Sequence, residues 1–97
     1  QRLHEVPYSL VTADGRVESG IIDAIYRRNG SWAIVEFKTD HVRDAAALER
    51  LLVEKDYLAQ TARYAAAVER MVGSQPTVVL CFLDYAGGIH LERRGPF

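Results

Sequence analysis

The sequence predicts an α/β domain built on a mixed sheet of about five strands, in the order β-β-β-α-β-β, with a long helix packed on it. Three observations carry this reading. Two apolar, β-branched runs are joined by Asn29-Gly30, a hairpin signal because both turn residues tolerate positive φ. An alanine-rich stretch from Asp56 to Val72 has helical spacing and stops at Gly73. From Thr77 to Asp84 the chain is almost continuously apolar, as in a central strand buried on both faces.

The elements follow in order. Leu3–Val11 has strand content and runs into the turn Ala13-Asp14-Gly15-Arg16. With Asp14-Gly15 as a two-residue loop, His4 falls against Ile25 and Val6 against Asp23, and Glu5 points to the other face. One bulge residue reverses this and brings Glu5 to the face of Asp23. Val17–Arg27 and Ser31–Thr39 are the second and third strands. If Asn29-Gly30 forms the whole loop, Arg28 pairs with Ser31 and Asp23 lies opposite Glu36, on one face with Lys38. Val17, Ile21, Ile25, Trp32 and Ile34 complete that face, while Ala24, Tyr26, Ala33, Val35 and Phe37 line the other. Both are apolar, so the sheet is expected to be covered on both sides.

Beyond the third strand, Asp40 is the expected N-cap and Ala45–Leu52 a short helical stretch. In the long helix, Leu58, Ala62, Ala65, Ala66, Val68, Met71 and Val72 form the expected core stripe. A connector over 73–76 leads to the central strand, and Ala86-Gly87-Gly88 turns the chain into an edge strand, Ile89–Arg93.

Composition bounds the function. Ninety-seven residues make one domain, 1–97, and 48% hydrophobic with 26% charged residues excludes disorder. A net charge of −1 excludes a generally basic nucleic-acid binder, so any polyanion site must be local. The lone Cys81 cannot form an internal disulfide and packs as a small hydrophobe; a reducing, cytoplasmic location is the default. No apolar run approaches the ~20 residues of a membrane span.

Two facing carboxylates have no structural use in a sheet and repel each other, so a cation is expected between them. Hard divalent ions accept one or two carboxylates and keep several waters, which suits Asp23 and Glu36, with the carbonyl of Phe37 as a third ligand. Such an ion acidifies its water and polarises a phosphoryl oxygen, while Lys38 offsets charge developing on phosphorus. Gln60 and Tyr64 stand four apart on the long helix, with Tyr57 three residues before, in one polar stripe. His41 is expected in solvent and His90 in a structural or exposed position.

Gly20-Ile21-Ile22-Asp23, Val35-Glu36-Phe37-Lys38-Thr39 and the Q-x-x-x-Y pair Gln60 and Tyr64 together resemble the PD-(D/E)XK nucleases. The chain looks most like the RecB-type nuclease domain of bacterial helicase-nucleases, whose first strand Glu5-Val6-Pro7-Tyr8 also resembles. The resemblance runs from about Leu3 to Tyr85 and implies a restriction-endonuclease-like core, Mg²⁺ or Mn²⁺, and cleavage of DNA phosphodiesters in double-strand break repair. It assigns catalysis to Asp23, Glu36 and Lys38, metal binding to Asp23, Glu36 and the Phe37 carbonyl, and DNA contact to Gln60, Tyr64 and Tyr57. His4 and Glu5 are further candidates. The implied partners are DNA, upstream helicase domains of the same polypeptide and a partner nuclease subunit, with no membrane. The family's first helix and its histidine ligand have no counterpart in the chain, which therefore reads as part of a larger nuclease domain. Departures are the Ile22 in place of the proline before Asp23 and this missing helix. The alternatives are a stand-alone restriction-like endonuclease and a non-catalytic DNA-binding remnant of the same fold.

Overall fold

The first half of the chain is a three-stranded meander of β1 (Arg2–Val11), β2 (Val17–Arg28) and β3 (Ser31–Val42). The structure is a computed structural model that describes residues 2–95, with backbone alone for Arg2, Leu10, Glu18 and Arg28. Two helices follow, α1 (Ala45–Glu54) and α2 (Tyr57–Val72), then β4 (Thr77–Tyr85) and β5 (Gly88–Arg94). The strands form one sheet in sequence order, antiparallel except for the parallel pair β3–β4. A parallel pair needs a long crossover, and α1 and α2 supply it.

The Asn29-Gly30 turn forms as expected: both residues have positive φ, 53° and 79°, and Arg28 pairs with Ser31. The first hairpin differs. Thr12 N–H donates to the Arg16 carbonyl at 2.8 Å, leaving three loop residues, Ala13-Asp14-Gly15, with Gly15 at φ 84°. The extra loop residue moves the register by one, so His4 pairs with Ala24 and Val6 with Ile22.

Alternation along β2 also breaks. Ile22 and Ile25 both belong to the core under α2, although three-residue spacing puts side chains on opposite faces of a regular strand. The β1–β2 ladder skips Glu5 and Asp23 without changing register, and Glu5 has φ 50°. One residue of each strand is thus thrown out of alternation, a paired kink at Asp23. This overturns the expected face: Val17 and Ile21 do not join Ile25, and Ile21 is 60% exposed.

Both helices lie on one face of the sheet. Ile22, Ile25, Ile34, Val78, Tyr64, Ala65 and Val68 make one core cluster under α2. Val42, Leu80, Phe82, Leu48 and Leu52 make a second under α1. The expectation that the sheet is covered on both sides is not met among the described residues: on the opposite face Phe37 is 51% exposed, and Leu83 and Leu91 are exposed as well. Apolar strand content there marks the central position of β3 and β4, where neighbouring strands shield Val79 and Cys81.

Two helix assignments change. β3 runs through Asp40 to Val42, and the N-cap of α1 is Asp44, whose carboxylate accepts from Ala47 N at 2.8 Å. On α2 the inward face is Thr61, Tyr64, Ala65, Ala67 and Val68, while Leu58, Ala62 and Met71 are exposed. The polar residues of the inward face find partners: Thr61 Oγ1 donates to the Leu58 carbonyl within the helix at 2.7 Å, and Tyr64 meets Tyr8 of β1. Gly73 closes α2 at φ 81°, as expected.

Candidate active site

On its helix-facing side, β3 presents Ile34 at one end and Val42 at the other, each in its own core cluster. Between them the same side carries Glu36, Lys38 and Asp40. The charged row therefore divides the core, and it coincides with a fork in the sheet. The β2–β3 ladder ends at Ala24–Val35, whereas β3 stays paired with β4 through Glu36–Leu80, Phe37–Cys81 and Lys38–Phe82.

At the fork, side chains replace the ladder. Asp23 N–H donates to Glu36 Oε1 at 2.8 Å, and Phe37 N–H donates to Asp23 Oδ2 at 2.9 Å. The sequence register set Asp23 opposite Glu36; the structure brings them together through crossed carboxylate–amide bonds where the next rung would be. Two backbone donors that the parting strands would orphan are thereby satisfied.

The carboxylates are not equally placed. Glu36 is 4% exposed, and burial foremost, followed by the neighbouring Asp23 charge, raises its pKa from 4.5 to about 7 against the lowering pull of the Asp23 amide and Lys38. Lys38 is pulled down from its ordinary value by burial, opposed by Glu36, Asp23 and Asp40. Its ammonium donates to Gln60 Oε1 at 2.7 Å and lies 4.1 Å from the centroid of the Tyr57 ring. The Q-x-x-x-Y stripe of α2 thus faces the site. Tyr64 is buried edge-on against Tyr8, 5.3 Å between centroids, and its hydroxyl is pushed up to about 12 by burial and then by Glu36.

Gly20 has a reason of its own. A Cβ there would stand 2.9 Å from Tyr8 Cε1, so the glycine lets Tyr8 lie across β2 and reach Tyr64. Beside this contact an open groove of about 690 Å³ runs along Tyr8, Ser19, Gly20, Gln60, Arg63 and Tyr64, linked to Lys38 through Gln60.

No protein-family model matches the chain, and no curated protein matches it. The site must be judged on its chemistry.

Each carboxylate spends one oxygen on a backbone amide and has a second to offer. Two hard oxygens, one from Asp23 and one from Glu36, fit Mg²⁺ or Mn²⁺, which need few protein ligands, beside the Lys38 ammonium. Among the described residues no group of three or more His, Cys, Asp or Glu gathers in ligating geometry. His4 and Glu5 lie on exposed β1, Glu5 in the kinked position across from Asp23. His41 is exposed and pairs with Asp84 at 3.0 Å; His90 pairs with Glu92 at 3.0 Å and stacks on Tyr85, away from the fork. Asp40, read from sequence as a helix cap, is instead a member of the charged row. The alternation Glu36-x-Lys38-x-Asp40 was the available signal. Among the described residues no helix is long and apolar enough to cross a membrane.

Proposed function

We propose that this domain is a divalent-cation-dependent nuclease of the PD-(D/E)XK type with a restriction-endonuclease-like core, acting on DNA phosphodiesters as the nuclease module of a helicase-nuclease. The observation that carries the reading is the fork: two carboxylates from strands that part, and a lysine on the same face two residues further along β3. Asp23 and Glu36 would hold the cation, with the Phe37 carbonyl beside them. Bound there, Mg²⁺ or Mn²⁺ supplies Lewis acidity toward a phosphodiester and a more acidic water.

The chain's own residues do the rest. Lys38, fixed by Gln60, offers its ammonium to a phosphate oxygen that gains charge during hydrolysis. Gln60 accepts from Lys38 through Oε1, which leaves its amide N–H groups for substrate in the adjoining groove. Tyr64 and Tyr8 make the wall of that groove, and burial keeps Tyr64 a neutral hydroxyl at any working pH.

The test is cleavage of linear DNA with Mg²⁺ or Mn²⁺ against EDTA. Wild type should degrade DNA only with the ion, and Lys38→Ala should slow cleavage by ~10²–10³-fold, the usual effect of removing a group aimed at developing charge. Thermal stability should change little. Absence of cleavage with either ion, or full activity in Lys38→Ala, would overturn the reading.

A further inference from the structure

The chain has two lysines, Lys38 and Lys55, and both converge on one carboxylate neighbourhood. Asp40 Oδ1 accepts from the Tyr57 hydroxyl at 2.8 Å, and Asp40 Oδ2 lies 3.6 Å from Lys55 Nζ. The Tyr57 ring in turn carries the Lys38 ammonium, 4.1 Å from its centroid, with Phe82 of the second core cluster 6.4 Å away between centroids. Lys55 and Asp56 form the junction between α1 and α2, and Tyr57 opens α2. Lys55 caps α1, and Asp56 stands before α2 in the left-handed region at φ 56° with no side-chain cap bond. A non-glycine residue adopts that conformation at a cost of order 1 kcal/mol, so the tight junction is held by what its neighbours grip.

We propose that this junction is a positioning clamp for Lys38: Asp40 fixes Tyr57 and Lys55, and Tyr57 with Gln60 fixes the ammonium over the fork. What Lys38 does there rests on the nuclease reading; that it is clamped does not. Tyr57 is a positioning residue because its hydroxyl is committed to Asp40 and its ring to Lys38. Asp40 acts one step further back. Reach explains the need: a lysine has four rotatable side-chain bonds, and a substrate phosphate must find its ammonium in one place.

The clamp is read directly by NMR of the full chain labelled at lysine ε-carbons, where two signals are expected. The Lys38 ε-protons should be shifted upfield by the Tyr57 ring. Tyr57→Phe, which keeps the ring and drops the Asp40 bond, should retain part of that shift; Tyr57→Leu should abolish it. Asp40→Asn should reduce it and should also move the Lys55 signal. In DNA cleavage, Tyr57→Leu and Asp40→Asn should lower kcat by ~10-fold with KM within ~2-fold, as for misplacement of a catalytic group, and Tyr57→Phe should fall between them and wild type. A Lys38 signal without ring shift in wild type, or a Tyr57→Leu protein with unchanged kcat, would overturn the clamp. If Tyr57→Leu fails to fold, the wild-type shift and the Tyr57→Phe and Asp40→Asn spectra decide the matter. Should wild type cleave nothing, the nuclease reading falls and the spectra alone judge the clamp.

Discussion

Strand β3 is held differently on its two edges. Toward β4 it is paired from Ala33–Thr77 to Lys38–Phe82 and again at His41–Asp84. Toward β2 the ladder stops at Ala24–Val35, and two carboxylates take over. A strand zipped along one edge keeps its place when the other edge opens, so donors freed at the opening can organise acidic side chains without loosening the fold. The zipped edge is flanked by apolar residues that are fully buried, Leu80 and Phe82. The open edge holds a buried glutamate that is costly in the folded state. Stability and the proposed chemistry are thus separated across the width of a single strand.

That contrast has measurable consequences. The largest lies on the zipped edge. Phe82→Ala removes a side chain with no solvent exposure from the second core cluster and should cost about 3–5 kcal/mol in denaturant unfolding. A loss below ~1 kcal/mol would mean that this edge is not what anchors β3.

The open edge should respond to pH. Because folding raises the Glu36 pKa from 4.5 to about 7, the folded state binds this proton more tightly than the unfolded chain. The contribution to stability is complete below pH 4.5 and disappears as pH climbs through 7. Without divalent ions, wild type should lose on the order of 1–3 kcal/mol relative to Glu36→Gln between pH 5 and pH 8. Parallel pH profiles for the two proteins would show that Glu36 is not held in a costly charged state.

A smaller effect belongs to the crossover that makes the parallel pair possible. Asp44→Ala removes the cap on α1 and should cost about 1 kcal/mol, with cleavage per folded molecule unchanged. A loss of activity without a loss of stability would tie α1 to the site more closely than the core contacts indicate.

Much of this arrangement was legible in the sequence, and the exceptions have physical causes. The Asn29-Gly30 turn leaves little freedom, and it alone carried the register that sets Asp23 against Glu36. The central strand and the end of α2 at Gly73 followed from equally local signals. The first hairpin was misjudged by one residue because Asp14-Gly15 fits a two-residue or a three-residue loop, and the hydrogen bond from Thr12 to Arg16 decides. The kink at Glu5 and Asp23 left no local mark, since it is imposed by pairing between strands; every face assignment before Asp23 inherited the error. Leu58 and Met71, apolar at helical spacing, stay exposed because the inward face of α2 is set by partners as well as by apolar character. Tyr64 and Gln60 turn inward because Tyr8 and Lys38 await them. Asp40 was missed for the same reason: a capping residue and a site residue look alike until Tyr57 comes within 2.8 Å.

The central claim is that the fork between β2 and β3 holds a divalent cation, and thermal unfolding with and without Mg²⁺ or Mn²⁺ tests it most directly. Only the folded chain assembles Asp23 and Glu36, so an ion at about 100 times its Kd should add ~2.7 kcal/mol. For a domain of this size that raises Tm by roughly 10–20 °C. Asp23→Asn and Glu36→Gln should each remove most of that rise, while His41→Ala, on the opposite face, should keep it. No rise in wild type, or an equal rise in all four proteins, would contradict the account.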